Sequence, residues 1–464
     1  MDPIKQIAPA ERKIWRAGTL TYTAGALGML CFWLLWGDFT WAMKDRAVGP
    51  AATLLIKEIG VSEFLYGLII VGFPNFTNTF LSPIISYLSD RHRGRWGRRI
   101  PFLLFTTPFI VLGLYGLGCT RLFASLLHQA VPSIPLHAAQ LIFFCLAWVS
   151  LDFGTTLASS LFNALVNDVV PRELLGRFFA LFRLVSLGAG MLFNFWLIGK
   201  VQEYTLEIFL GIGTLYGAGL LMLCWKVREG EYPPPAASPV KRNGGADSLF
   251  RRGSRAAATY LRQSFSLAYY RWYMAASAVA MLAFAPINMF SIQYAQQLQI
   301  PMEQYGIYLV ITYTCSLVLS YPLGILADRF HPLRSGLVSL IAYLLLMAAG
   351  YRLLLDAGYF GIVFILHGVV SGCYFTLSAS LGSRLLPGEL FAQFCSAGGI
   401  VTAILNMVLG PLIGKLIDLS NYNYRCVFLL GGAISLIAVL LFLKLLVCYR
   451  RYGGDEAYSP PLPD

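Results

Sequence analysis

Stretches of about twenty mostly apolar residues recur twelve times along this chain, near 22–43, 62–86, 101–120, 138–163, 178–199, 206–225, 272–295, 304–326, 335–354, 358–383, 390–416 and 424–447. A helix that crosses the hydrocarbon layer of a membrane needs about 20 such residues. The runs lack the alternating period of a membrane barrel, so the spacing predicts an all-α integral membrane protein with twelve spans. Composition agrees: 12% of residues are charged and 57% hydrophobic, against about 25% charged in an average soluble domain. One boundary stays open. The apolar Ala47–Ile56 stretch would prolong the first span past Lys44-Asp45-Arg46.

The net charge of +12 invites a nucleic-acid partner, but the basic residues sit in short clusters between apolar runs. That distribution belongs to loops on one side of a bilayer. With a cytoplasmic N-terminus, 26 of the 35 Lys and Arg fall on the inner side and eight on the outer. The asymmetry predicts a multi-pass protein of the cell membrane with both termini in the cytoplasm. Lys5, Arg12, Lys13 and Arg16 precede an apolar run too long for a cleavable signal. The nine cysteines form no CxxC pair and have no His at ligand spacing, so neither a disulfide framework, a metal site nor a cofactor is expected. A phosphate-cradling Gly-Lys-Ser/Thr loop is absent, which argues against a pump with its own ATPase. An enzyme would need grouped acids or a metal set on an aqueous loop, where the chain offers only scattered Glu203, Glu207, Glu303 and Asp356.

The two halves echo each other. Ser86-x-x-x-Asp90-Arg91 follows the second run and Gly324-x-x-x-Asp328-Arg329 the eighth; Pro171-x-Glu173-Leu174-x-x-Arg177-Phe178 opens the fifth and Pro387-x-Glu389-Leu390-x-x-Gln393-Phe394 the eleventh. Between them, residues 227–271 hold Pro233-Pro234-Pro235, Gly244-Gly245 and Arg251-Arg252 and read as a hydrophilic tether. The expected division is a six-helix bundle over 1–226, a cytoplasmic linker over 227–271, a second bundle over 272–448 and a tail over 449–464, Pro-rich and unstructured from Tyr458. Six plus six helices in parallel repeat is the plan of alternating-access transporters, in which solute is held between the halves. A monomer suffices for that plan.

After the second run the chain reads Asp90-Arg91-His92-Arg93-Gly94-Arg95-Trp96-Gly97-Arg98-Arg99, then Pro101-Phe102. This resembles the signature loop of the major facilitator superfamily, and more closely its glycoside–pentoside–hexuronide cation symporters, the melibiose permease group. The resemblance implies that Asp90, Arg91, Arg95, Arg98 and Arg99, with Asp328 and Arg329 in the second repeat, lock and release helix ends during the conformational cycle. A plain solvated inner loop is the alternative.

Gly37-Asp38-Phe39, Asp152 and Arg177-Phe178-Phe179-Ala180 are similar to that group's substrate-contacting positions, which implies that Asp38, Asp152 and Arg177 meet sugar hydroxyls. A charge at the bilayer centre costs about 3 kcal/mol or more, so it is kept where it faces a cavity or a partner. Asp38, Asp152 and Arg183 fit that description. Arg183 lies about 9 Å deeper than Arg177 along a helix, and both arginines stay candidates. An arginine within reach of both acids would hold them ionised; a structural ion pair fastening helices is the other reading.

The group's two sodium-binding acids are replaced here by Asn78 and Ser82, which favours H+ over Na+ as coupling ion, taken up at Asp38 or Asp152. Trp41, beside Asp38 with Trp36, offers a face to a pyranose ring or belongs to an interfacial belt. Asn288 and Gln293 flank the expected wall of the seventh helix. His367 reads as a packing residue rather than a proton relay. Low charge in the spans favours a neutral, hydroxyl-rich solute over a dianion. The expected function is secondary transport of a sugar or glycoside; a carrier of nucleosides, drugs or lipids, or a transporter-like sensor, is the alternative.

Overall fold

The computed structural model describes residues 14–232, 262–353, 357–387 and 390–461. Among them, twelve helices are long and apolar enough to cross a membrane. They are α1 (Ala24–Ile59), α2 (Glu63–Arg91), α3 (Ile100–Gly118), α4 (Leu136–Val169), α5 (Arg172–Trp196), α6 (Thr205–Lys226), α7 (Ala268–Gln297), α8 (Met302–Arg329), α9 (Pro332–Leu353), α10 (Ala357–Leu385), α11 (Phe391–Leu419) and α12 (Cys426–Arg451). A short hairpin, Trp15–Ala17 against Leu20–Tyr22, precedes α1. Large apolar side chains such as Leu112, Leu146, Val318 and Leu345 are exposed on the outside of the bundle. A water-soluble surface does not carry so many.

The first span corrects the shorter reading. α1 runs for 36 residues through Lys44-Asp45-Arg46 and through Pro50, and ends on Gly60 at φ 84. Helix survives three adjacent charges because they find partners inside the protein. Lys44 is 2% exposed and pairs with Asp45 at 2.7 Å, Trp41 Nε1 donates to Asp45 at 3.1 Å, and Arg46 donates to Ser186 of α5 at 3.2 Å. The triplet thus stands within the first span, with Lys44 buried and Asp45 half exposed, and six basic residues remain of the eight expected on the outer side.

Two further boundaries move. α7 begins at Ala268 rather than 272, and the stretch 227–232 is docked rather than loose, as described below. The expected Pro-rich tether over 233–261 lies outside the described residues. The tail also docks, against expectation: Tyr458 donates to Leu385 O at 2.7 Å and meets Tyr269 Oη at 2.8 Å, and Tyr270 donates to Pro461 O.

Packing reproduces the repeat. Within the first six helices, α3 lies on α4 and α6, α1 on α5 and α6, and α2 on α4. Each of these pairs recurs six helices later: α9 on α10 and α12, α7 on α11 and α12, α8 on α10. The two bundles then meet through α2 against α11 and α5 against α8, two contacts that exchange with one another when the halves are swapped.

Glycine makes these seams close. A Cβ on Gly414 of α11 would lie 2.0 Å from Glu63 O, one on Gly67 of α2 2.4 Å from Gly410 O, and one on Gly306 of α8 2.0 Å from Asn194 O. In a membrane, helix association rests on such van der Waals contact because lipid is as apolar as leucine. α2 takes a π-helical turn over Gly67–Gly72, where it runs beside α11. Polar contacts lie at the same end: Asp418 of α11 accepts from the backbone N of Glu63 at 2.9 Å and of Phe64 at 3.0 Å, and Glu63, fully buried, is met by Lys57 Nζ and Tyr424 Oη. Tyr66 donates to Met289 O of α7 at 2.9 Å. The halves are therefore shut together at the end that carries the 60–62 turn.

Candidate functional site

Behind that closed end, between the bundles, lies a cavity of about 490 Å³. Its wall comes from both halves: Arg46 of α1, Arg183 and Ser186 of α5, then Asn288 of α7, Thr312, Tyr313 and Ser316 of α8, and His367 and Ser371 of α10. The volume is in the range of roughly 300–1,000 Å³ usual for small-molecule sites. Two other hollows, one along α5 reaching Val310 of α8 and one between α2 and α4 reaching Met407 of α11, have almost wholly apolar linings.

Arg46 crosses toward α5, and its guanidinium carbon is 5.4 Å from the centre of the Tyr313 ring. Gly190 lets both approach, since a Cβ there would be 2.9 Å from Tyr313 and 3.4 Å from Arg46. On the other half, His367 is 2% exposed and bound at both ring nitrogens, Nδ1 to Tyr343 Oη at 2.9 Å and Nε2 to Asn288 Oδ1 at 3.0 Å. An amide oxygen only accepts, so Nε2 carries the proton and Nδ1 accepts from the tyrosine.

The acids expected in the site lie elsewhere. Asp152 is 9% exposed and accepts from Thr77 of α2. Lys44 also donates to Thr155 at 3.3 Å. Asp38 is 8% exposed on α1, and its Oδ2 is buried without a hydrogen-bond partner among the described residues. No ion pair among the described residues joins Asp38 or Asp152 to an arginine, so the expected Asp–Arg–Asp arrangement is not formed; Lys44, buried in this bundle, pairs with Asp45 instead. The reason is the length of α1, which carries Lys44 into the bundle.

The other candidates divide. Arg183 lines the cavity, whereas Arg177 is exposed in the first turns of α5 and does not. Asn288 is on the wall; Gln293 is 2% exposed beside Tyr66, away from it. Trp41 stacks on Phe162 with centroids 6.0 Å apart and planes at 3°, and Lys44 Nζ sits 4.1 Å from its centroid. Its ring is thereby committed to packing inside the first bundle. Ser82 donates to Asn78 Oδ1 at 2.7 Å and accepts from Ser160 of α4 at 3.2 Å. The described residues include no group of three or more His, Cys, Asp or Glu placed to hold a metal ion.

A second charged group stands at the opposite end of the first bundle. Arg98 grips Asp168 of α4 with Nε at 3.0 Å and a second guanidinium nitrogen at 2.5 Å, and Arg99 reaches Asp168 at 3.3 Å as well as Asp90 and Ser89. Glu229, just beyond α6, accepts from three successive backbone N–H groups, Arg98 at 2.9 Å, Arg99 at 2.8 Å and Ile100 at 2.8 Å. These are the orphan donors that open α3, where a carboxylate is favoured. Gly97, at φ 97, is required there, since a Cβ would strike Glu229 at 2.5 Å. Tyr232 donates to Glu229 at 3.0 Å and lies under the Arg98 guanidinium at 4.0 Å; burial and then the Glu229 charge hold its phenol above the ordinary range. Arg95 lines the adjoining hollow, Arg91 ends α2, and Arg329 is exposed at the end of α8. The side chain of Asp328 lies outside the described residues.

A sequence profile of the Major Facilitator Superfamily matches residues 29–408, and again 274–460. The chain belongs to this superfamily. Solved structures of similar shape include the nucleoside transporter NupG (13% identity, 90% of this chain and 98% of that one, TM-score 0.57). An inward open conformation of the xylose transporter XylE from E. coli is also similar (16%, 90% and 95%, 0.58), as is a POT family transporter in complex with a thioalcohol conjugated peptide (13%, 93% and 97%, 0.62). At these identities the likeness establishes the fold. A search of curated proteins found no match. In this major facilitator fold the cavity of Arg46, Arg183 and Asn288 stands between the two six-helix bundles.

Sequence reading passed over Arg46, Lys44, Asp168 and Glu229. Arg46 and Lys44 were hidden by the assumption that a charged triplet ends a span. Asp168 and Glu229 had a signal, since they are acids beside inner segments otherwise rich in arginine.

Proposed function

We propose that this protein is a secondary active transporter that moves a small polar solute, in the first instance a sugar or glycoside, by alternating access, with a proton as coupling ion. The observation that carries the reading is one polar cavity walled by both bundles and shut at one end. A solute there touches two bodies that rock against each other, which is the geometry alternating access needs. Resemblance to the melibiose permease group supplies the sugar class.

The basic inner loops support cytoplasmic termini in the cell membrane, with residues 1–226 and 272–448 as the moving bodies, 227–271 as their inner link and a monomer as the working unit. On that orientation the closed end faces outward and the molecule faces the cytoplasm. Arg98, Arg99, Asp90, Asp168 and Glu229 then act as the inner latch, with Arg91, Arg95, Asp328 and Arg329 around it. Asp38 and Asp152 are the carboxylates available to take and release the proton.

The test is uptake into proteoliposomes with and without a pH gradient. Asp38→Asn or Asp152→Asn is expected to abolish uphill uptake while sparing exchange; uphill uptake unchanged in both variants would sink the coupling scheme. A protein that binds solute without moving it would be a sensor.

A further inference from the structure

The central cavity shows the solute two guanidinium groups and no carboxylate. Two of the acids nearby are already engaged, and Asp38 is buried on α1 with no ion pair to either arginine among the described residues. Asp45 pairs with Lys44 at 2.7 Å and accepts from Trp41, and Asp152 accepts from Thr77. Arg46 has a serine hydroxyl and the face of Tyr313. No ion pair among the described residues joins Arg46 or Arg183 to an acid. Both stand near the middle of their spans, where an uncompensated charge costs about 3 kcal/mol or more.

The facing wall adds donors of the same sense. Asn288 Oδ1 is occupied by the His367 proton, which leaves the amide nitrogen for the cavity. The Tyr343–His367–Asn288 chain fixes that orientation from behind. A guanidinium fork matches the two oxygens of a carboxylate or phosphate group. Two of them on one half and an amide N–H on the other would clamp such a group across the moving interface.

We infer that the solute is a small organic anion, a hydroxyl-bearing molecule with a carboxylate or phosphate group held by Arg46 and Arg183. The inference rests on the transport reading above and narrows its solute class, in place of the neutral solute expected from the low charge of the spans. A bound anion supplies the missing counter-charge. The cavity of about 490 Å³ admits a molecule of monosaccharide size.

The experiment measures thermal shifts of the purified full chain with D-gluconate, D-glucose 6-phosphate and D-glucose at equal ionic strength, then counterflow of each compound in proteoliposomes. An anion is expected to stabilise the protein where glucose does not, and the two anions separate carboxylate from phosphate recognition. Arg183→Gln and Arg46→Gln should each weaken that anion's binding by about tenfold or more, with Arg183→Lys recovering part, while the ligand-free unfolding temperature stays near wild type. Competition by sulfate on the unmodified protein gives the same answer without a substitution. Stabilisation by glucose alone, no shift with either anion, or anion binding unchanged in both Gln variants would overturn the inference. Counterflow of glucose alone leaves the transport reading standing and removes the anion. Anion binding without counterflow does the reverse.

Discussion

Glu229 shows how one side chain couples segments distant in sequence. Its carboxylate closes three orphan N–H groups at the start of α3 and receives Tyr232, so the chain leaving α6 is fastened where α3 begins. Glu229→Ala leaves those donors without the carboxylate and is expected to cost about 1–3 kcal/mol, read as a lower thermal unfolding temperature; a wild-type value would show that water replaces the carboxylate at no cost. His331, in the turn between α8 and α9, makes a pH-dependent contribution. Burial, with Arg384 and Arg334 adding to it and Asp455 opposing, lowers its pKa from the ordinary 6.5, and its ring lies 4.6 Å from that of Tyr449. A base held below its unfolded pKa favours the neutral form in the fold. That contribution is present above about 6.5 and is lost as pH falls through 6.5 toward the lowered value. His331→Asn should flatten the acid side of the unfolding profile measured between neutral pH and pH 5, and an identical profile would count against it.

At the scale of elements, the α2–α11 seam is set by glycines whose absent side chains let backbones touch. Gly414→Leu would place atoms where Glu63 O now stands, and backbone cannot step aside as a flexible side chain does. The closed end is expected to be excluded and the opposite state favoured, with uptake down by about tenfold or more for a bias of some 1.4 kcal/mol. Transport assays check this, and wild-type uptake by the Leu variant would count against it. α1 makes a second point at this scale. A helix of 36 residues is longer than a span needs, and the excess lets Lys44 serve the first bundle while Arg46 serves the interface.

For the molecule as a whole, the seams α2–α11 and α5–α8 exchange when the halves are swapped, so alternating access predicts that closing one end opens the other. Ser371, on the cavity wall, reports on that exchange. In a background without the native cysteines, Ser371→Cys should react with a membrane-impermeant thiol reagent from the inner side in the absence of solute, and reaction should slow when solute is bound. Equal reaction from both sides would contradict a two-state gate.

Much of this was legible in the residues themselves. Twelve apolar runs and two echoed motifs determined the helix count, the membrane-spanning character and the six-plus-six plan, because hydrophobic length and repeat are local properties of a chain. Asn288 and Arg183 were found as polar groups in apolar surroundings. What only the tertiary structure decided is which charge meets which. Lys44 and Arg46 stand two residues apart, which sets their side chains about 200° apart around the helix, so one turns into the first bundle to meet Thr155 of α4 and the other into the cavity. Pairing of charges depends on the helix across the way, and no stretch of sequence contains its own neighbour.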